Sequence, residues 1–344
     1  MKKLIFAAFA AGAMVLAGCT KTEVTKVSES RAIGFDNFVS NSVKSITSKQ
    51  DLTNFYVFGG YDADNQIFGN TKVSSADQGA TWTYSPDRFW IADQTTYKFA
   101  AYSDEKTAIG TADTYDASRV AFDYNSGYLT INSYSADGTK DLVYGITENT
   151  TYSGATPETV NFTFYHALSK VVFKFTKDAS LDDINVAIAD LKIDQITTNG
   201  KFLGAAASGN QLPYTVWDRT GATTAAQNVA FDNATINANG VSLSSTPLFL
   251  IPQGTDTPLK ISFKLTPSTE NDIPTGLEEK TFTSVELPAT SDNQWKPGFS
   301  YIYTATISAD TFDANAIVFN VTSVQSFESD VEIPLEDEDF TLGN

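Results

Sequence analysis

The sequence predicts an all-β protein built as two antiparallel β-sandwich domains in tandem, and three observations predict it. Composition is the first. The 344 residues include 24 Phe, 15 Tyr and 21 Gly, types that favour pleated, half-buried surfaces and turns over helices. Second, apolar and polar residues alternate with a period of two along most of the chain. A helical period shows best only at residues 181–189. Third, turn signals such as Thr198-Asn199-Gly200, Gln253-Gly254 and Lys296-Pro297-Gly298 separate short apolar runs at the spacing of sandwich strands.

The N-terminus reads as an export signal. Lys2 and Lys3 precede an apolar run at residues 4–16, too short to remain in a bilayer as a helix. The run ends in Leu16-Ala17-Gly18-Cys19, which resembles a bacterial lipobox. Residues 1–18 are therefore expected to be a removable leader. Cys19, the only cysteine, is expected to become the lipidated N-terminus that holds the chain to outer-membrane lipid. Met1 and Met14 leave with the leader, and a single acylated cysteine makes no disulfide, so stability has to come from the core. A net charge of −18 opposes nucleic acid as a partner.

Residues 19–31 are polar and read as a tether. Residues 32–39 form the first strand, carried by Ile33, Phe35 and Phe38, and a Ser/Lys/Asn-rich connector fills residues 40–51. Strand-like runs follow at 55–61, 97–102, 128–131, 141–145 and 160–164. A boundary near 165–167 then gives an N-terminal domain of residues 32–165 and a C-terminal domain of 166–344. The second half restarts the pattern at 170–175, where Val171, Phe173 and Phe175 alternate with lysines. It continues at 191–196, 247–251, 261–265, 301–307 and 316–324. A last alternating run, Val331-Glu332-Ile333-Pro334-Leu335, precedes an acidic end.

Few residues carry a chemical signature. His166 is the only histidine, so a multi-histidine zinc site is excluded, and a buried, hydrogen-bonded imidazole is expected. Asp62-Ala63-Asp64-Asn65 has the oxygen-rich look of a calcium loop but lacks the glycine and glutamate that such a loop needs. A hairpin turn is expected there. Trp82, Tyr84, Phe89 and Trp90 could stack a sugar or a base, yet so dense an aromatic content points first to two sandwich faces meeting. Catalytic residues, cofactors and metals are not expected.

Several segments together resemble the fimbrillin family, subunits and anchors of type V pili. They are the lipobox-like ending; Phe89-Trp90 followed by Tyr97-Lys98-Phe99-Ala100-Ala101-Tyr102; Asp141-Leu142-Val143-Tyr144-Gly145; His166-Ala167-Leu168-Ser169-Lys170; residues 247–253; and residues 295–301. The resemblance implies transthyretin-like sandwiches, a cell-surface location, a role in adhesion to a host or bacterial surface, and other fimbrial subunits as partners. It also implies assembly by strand exchange. A protease removes the first strand, and a strand from the next subunit fills the slot. Familiar members are cut after arginine. Here Arg31 precedes the first strand, and the connector offers Lys44 and Lys49. The donor is placed at residues 316–335, with Ile317, Phe319 and Val321 as its apolar residues. A reading of another class is a lipid-anchored glycan-binding protein using Trp82, Trp90 and Trp217.

Overall fold

The structure, a computed structural model, describes residues 32–39, 52–91, 96–104, 119–151, 159–206, 215–220, 227–255, 257–270, 273–314 and 316–324. Cys19, Arg31, Lys44, Lys49 and the run at 331–335 lie outside the described residues.

In the N-terminal part, alternation builds β1 (Gly34–Val39), β2 (Asn54–Gly60), β3 (Gln66–Ser74), β4 (Thr96–Ser103), β5 (Val120–Asp123), β6 (Tyr128–Ser135), β7 (Val143–Thr151) and β8 (Thr159–His166). Six of them form one sheet in the order β1-β8-β7-β4-β2-β3. Tyr56, Phe58, Ala100, Tyr102 and Tyr144 point from this sheet into one core, where Phe122, Leu129 and Ile131 of β5 and β6 meet them. Phe55, Val57, Phe99 and Ala101 point the other way, into a second core. Both faces of β2 are thus buried, which explains its unbroken apolar run Phe55-Tyr56-Val57-Phe58.

That second core is covered by β8 and β1, which leave the plane of the sheet. β7 and β8 share only the pairs Val143↔His166 and Tyr144↔Tyr165. In a flat sheet β8 would stand three strands from β2, roughly 14 Å at ~4.8 Å per strand. Yet the Phe162 and Phe164 rings lie 5.9 and 5.6 Å from that of Phe55. β8 therefore folds back over the sheet. Gly145 permits the crossing, since a Cβ there would sit 2.7 Å from the Thr163 carbonyl oxygen.

The C-terminal part adds β9 (Ser169–Lys177), β10 (Asn185–Ile196), β11 (Asn199–Gly204), β12 (Thr215–Asp218), β13 (Gln227–Ala230), β14 (Ala234–Ile236), β15 (Ser242–Ser244), β16 (Leu248–Leu250), β17 (Lys260–Ser268), β18 (Lys280–Glu286), β19 (Ser300–Ile307), α1 (Ala309–Ala314) and β20 (Phe319–Val324). One sheet runs β13-β10-β17-β18 with β14 also on β10. The other runs β15-β9-β19-β20 with β16 also on β9. Val171, Phe173 and Phe175 of β9 share a core with Ile188, Ile193, Ile261, Phe263 and Leu265 of β10 and β17. The pairings are mostly antiparallel, but β1/β8 and β9/β19 are parallel.

Two features stand out against the sequence reading. β11 and β12 lie beyond the boundary drawn at 165–167, yet they extend the sheet of β5 and β6 in the order β12-β11-β6-β5. The cause is local: only Thr197 and Thr198 separate β10 from β11, so one run of chain leaves the C-terminal sandwich and enters the N-terminal one. A cut at 165–166 would thus divide strands that pair. The helical period at 181–189 is also not realised. A 3-10 turn at Ala179–Leu181 leads into β10, where buried Val186 and Ile188 alternate with half-buried Ala187 and Ala189. Helix α1 has only six residues, too few to show a period in the sequence.

Candidate functional site

The seat of β1 joins the first strand to the rest of the fold. β1 runs parallel to β8 in a register from Gly34↔Thr159 to Val39↔Phe164. Ile33 and Phe35 point inward and are 1% and 6% exposed. The Phe35 ring stands 5.1 Å from Phe68, 5.6 Å from Tyr84, 6.0 Å from Phe55, 6.1 Å from Phe162 and 6.4 Å from Phe99. Aromatic pairs of this kind contribute about 0.5–1.5 kcal/mol each beyond their burial.

A second element holds the start of the strand. The Ile33 N–H donates to the Arg88 carbonyl at 2.9 Å, and the Tyr84 hydroxyl donates to the Ile33 carbonyl at 2.6 Å. Ala32 and Phe89 form an antiparallel bridge. Burial raises the Tyr84 pKa above its ordinary value. Because Ile33 turns its backbone groups toward residues 84–89, the pleat turns those of Gly34 and Asp36 toward β8. Lifting β1 away would uncover Phe55, Phe68, Tyr84, Phe99 and Phe162 together with an unpaired β8 edge.

The three residues assigned to the donor have different surroundings. β20 is antiparallel to β19, from Ser300↔Val324 to Ala305↔Phe319. Phe319 is buried, its ring 5.9 Å from Phe173, 5.7 Å from Phe175 and 6.1 Å from Phe263. Ile317 and Val321 pack against the same core. All three thus complete their own C-terminal sandwich.

Four of the motifs behind the family resemblance, at residues 141–145, 166–170, 247–253 and 295–301, meet at the joint between the sandwiches. The His166 Nδ1 is hydrogen-bonded to the Asp141 carboxylate, and both residues are buried. The Ala167 N–H donates to the Leu142 carbonyl at 2.7 Å, and the Gly298 N–H to the Leu168 carbonyl at 2.8 Å. The Ser169 hydroxyl donates to the Lys296 carbonyl at 2.8 Å. The Trp295 N–H donates to the Gln253 carbonyl at 2.8 Å, and Trp217 Nε1 to the Ala167 carbonyl at 2.7 Å. These short segments bind one another, so their work is to lock the joint.

The remaining candidates resolve into turns and cores. Asp62 accepts at 2.9 Å from each of the backbone N–H groups of Asp64 and Asn65, as a hairpin turn between β2 and β3 requires. Among the described residues, no group of three or more His, Cys, Asp and Glu side chains is placed to hold a metal ion. Trp82 packs its ring 4.9 Å from Phe55, Trp90 is buried, and Trp217 packs on Phe202 at 5.4 Å. The three tryptophans of the glycan-binding reading therefore serve cores and offer no shared platform. Among the described residues, no helix is long and apolar enough to cross a membrane.

The chain is similar to several solved structures at low identity. A protein of Bacteroides eggerthii is 15% identical over 86% of this chain and 94% of its own, with a TM-score of 0.47. A C-terminally truncated tip fimbrial protein of Porphyromonas gingivalis is 7% identical over 85% and 98%, with a TM-score of 0.42. A fimbrial assembly protein of Parabacteroides distasonis is 11% identical over 85% and 98%, with a TM-score of 0.38. No curated protein matches the sequence. Residues 41–324, which begin just past β1 and end with β20, match the fimbrillin-like family model, and the chain belongs to that family.

Proposed function

We propose that this chain is a fimbrial subunit, held to the outer membrane through lipid on Cys19 until its first strand is removed. A protease cuts the connector at residues 40–51, after Lys44 or Lys49, and β1 leaves. A C-terminal strand of a neighbouring subunit then fills the slot. Repeated head to tail, this donation does not close on itself and gives a filament, which presents the subunits for adhesion.

The seat of β1 carries this reading. It combines an aromatic slot around Phe35 with the edge of β8, and both need a strand: the slot to exclude water, the edge to pair its backbone. The polar connector after β1 is a suitable substrate for a protease. Arg31 suits the reading less well, because a cut there leaves β1 joined to the body. The donor is assigned to the segment after Val324, since Phe319 and its neighbours are used at home. Within it, Val331, Ile333 and Leu335 alternate with Glu332 and Pro334.

Limited trypsin treatment of the full chain, followed by negative-stain microscopy, tests the proposal. Fibres are expected from the natural sequence and folded monomer from the variant carrying Lys44→Ser and Lys49→Ser. Fibres of equal length from that variant would place the cut elsewhere. A chain ending at Val324 is expected to lose β1 on cleavage and yet not to extend a fibre.

A further inference from the structure

We infer that the far end of the C-terminal sandwich carries a binding site for a weakly hydrated monovalent cation, of the ammonium or potassium class. The chain fills this site itself, with the ammonium of Lys177. The inference stands independently of strand exchange.

The site is a cage of backbone oxygens. Lys177 is the last residue of β9, at the end away from the joint. Its Nζ donates to the carbonyls of Ile184 at 2.6 Å, Ala238 at 3.0 Å, Asn237 at 3.1 Å and Leu181 at 3.3 Å. An ammonium has three N–H bonds for these four acceptors, so the contact is coordination by a shell rather than a set of separate pairs. Two stretches of chain supply the shell: the link from the 3-10 turn to β10, and the turn between β14 and β15.

Other bonds hold both stretches in place, which makes the cage a site and not a by-product of the lysine. The Leu181 N–H donates to the Asp178 carbonyl at 3.1 Å, and the Ile184 N–H to the Leu181 carbonyl at 3.1 Å. The Gly240 N–H donates to the Asn237 carbonyl at 2.8 Å, and the Ala238 N–H to Asn185 Oδ1 at 2.6 Å. The backbone N–H of Lys177 donates to the Val241 carbonyl at 2.9 Å. With these bonds kept and the ammonium gone, four carbonyl dipoles would converge on one point without a donor, an arrangement that half-buried acceptors avoid.

The chemistry of the shell sets the class of ion. All four oxygens are neutral backbone carbonyls, the set that replaces the hydration shell of potassium in channel filters. Calcium and magnesium rely on carboxylates for charge. Burial lowers the Lys177 pKa, whereas Asp182 and Asp183 act nearby in favour of its charge. A free cation at this site would tie the stability of the sandwich to the surrounding salt, by mass action. A cation carried on a side chain removes that dependence.

Thermal unfolding of the full chain at constant ionic strength tests this. The natural chain is expected to melt at the same temperature in sodium, potassium and ammonium chloride. Lys177→Ala, which empties the cage, should melt about 5 °C lower in sodium chloride. It should regain most of that loss, saturably, in potassium or ammonium chloride. Tetramethylammonium, too large for the cage, and calcium should restore nothing. Lys177→Met keeps the stem and places a methyl group where Nζ stands, so it should lose as much and regain nothing in any salt. Equal recovery of Lys177→Ala in every salt, or in none, overturns the site. So does a Lys177→Met chain as stable as the natural one, which would assign the role to the stem. Selective recovery by calcium overturns the class of ion. A Lys177→Ala chain that folds only in potassium or ammonium supports the site, and one that folds in no salt overturns it. In the natural chain, an amine-acylating reagent should reach Lys177 about tenfold more slowly than the exposed Lys201, because its amine has to leave its carbonyl acceptors first. Equal rates would overturn the caged state of the ammonium.

Discussion

Each sandwich is completed by a strand from near one end of the described chain, and the two strands are held in contrasting ways. β20 follows β19 with only α1 and a short link between them and pairs with it antiparallel. β1 pairs parallel with β8, a strand far along the sequence, and no tight turn can join a parallel pair. Both bury a phenylalanine among other rings, Phe319 against Phe173, Phe175 and Phe263, and Phe35 against five partners. Burial alone therefore does not separate a fixed strand from an exchangeable one. Connectivity does. β1 can be cut free without breaking any other pairing, whereas β20 is the direct continuation of its partner.

The largest effects should come from removing those two rings. Phe35→Ala and Phe319→Ala should each cost about 3–5 kcal/mol, with different signatures. Phe319→Ala should lower the melting temperature by about 10 °C. Phe35→Ala should leave that transition in place and instead speed hydrogen exchange and proteolysis at residues 32–39. Equal loss of global melting temperature in both variants would break the comparison, because β1 would then be as integral as β20.

Next in size is the crossing that creates the slot. Gly145→Ala would press a methyl group against the Thr163 carbonyl oxygen at 2.7 Å, and overpacking of this kind costs about 1–3 kcal/mol. Since β8 is the common support of β1 and the joint, β1 should become easier to release, measured as faster loss of residues 32–39 after cleavage. Asp141→Ala acts on the joint itself. It removes a hydrogen-bond partner from the buried His166 imidazole, at a cost of about 1–3 kcal/mol. The expected readout is separation of one melting transition into two, as the sandwiches lose their lock. A single transition lowered as a whole would mean that the joint and the cores unfold together.

Much of this was legible in the sequence, and the misses share a cause. Period-two alternation marked the strands at 32–39, 160–164, 170–175 and 301–307, and the solitary His166 is indeed buried and hydrogen-bonded. Alternation says which residues face a core but not whose core. Ile317, Phe319 and Val321 have the pattern of a strand in either sandwich, and only the pairing with β19 assigns them to their own. Likewise Phe202 and Trp217 look like C-terminal strand residues, yet both pack in the core between the two N-terminal sheets. The two-residue gap at Thr197-Thr198 was too slight a signal of that crossing. Gly145 read as the end of a strand motif, and its need for a bare Cα arises only when β8 crosses over it.

The smallest predicted effect sharpens the comparison by pH. Two phenols sit at the two closures: Tyr84, which donates to the Ile33 carbonyl at the start of β1, and Tyr303 of β19, which accepts from Trp295 Nε1 at 3.0 Å. Burial raises the pKa of each above the ordinary 10.0, Tyr303 to about 12 and Tyr84 without so large a shift. A raised folded-state pKa means that the neutral phenol favours the fold. Its contribution is complete below pH 10 and is lost as pH rises through the folded value. Once ionised, Tyr84 can no longer donate to Ile33, so β1 should loosen above pH 10 while the C-terminal sandwich holds until nearer pH 12. Tyr84→Phe should loosen β1 already at neutral pH by about 0.5–1.5 kcal/mol, the worth of one hydrogen bond. The same variant should remove the pH dependence of β1 release above pH 10. Hydrogen exchange at residues 32–39 across that range, with and without the substitution, reads the difference. If the pH dependence survives Tyr84→Phe, the clasp at Ile33 is not what holds the strand, and the ring slot around Phe35 has to account for its retention alone.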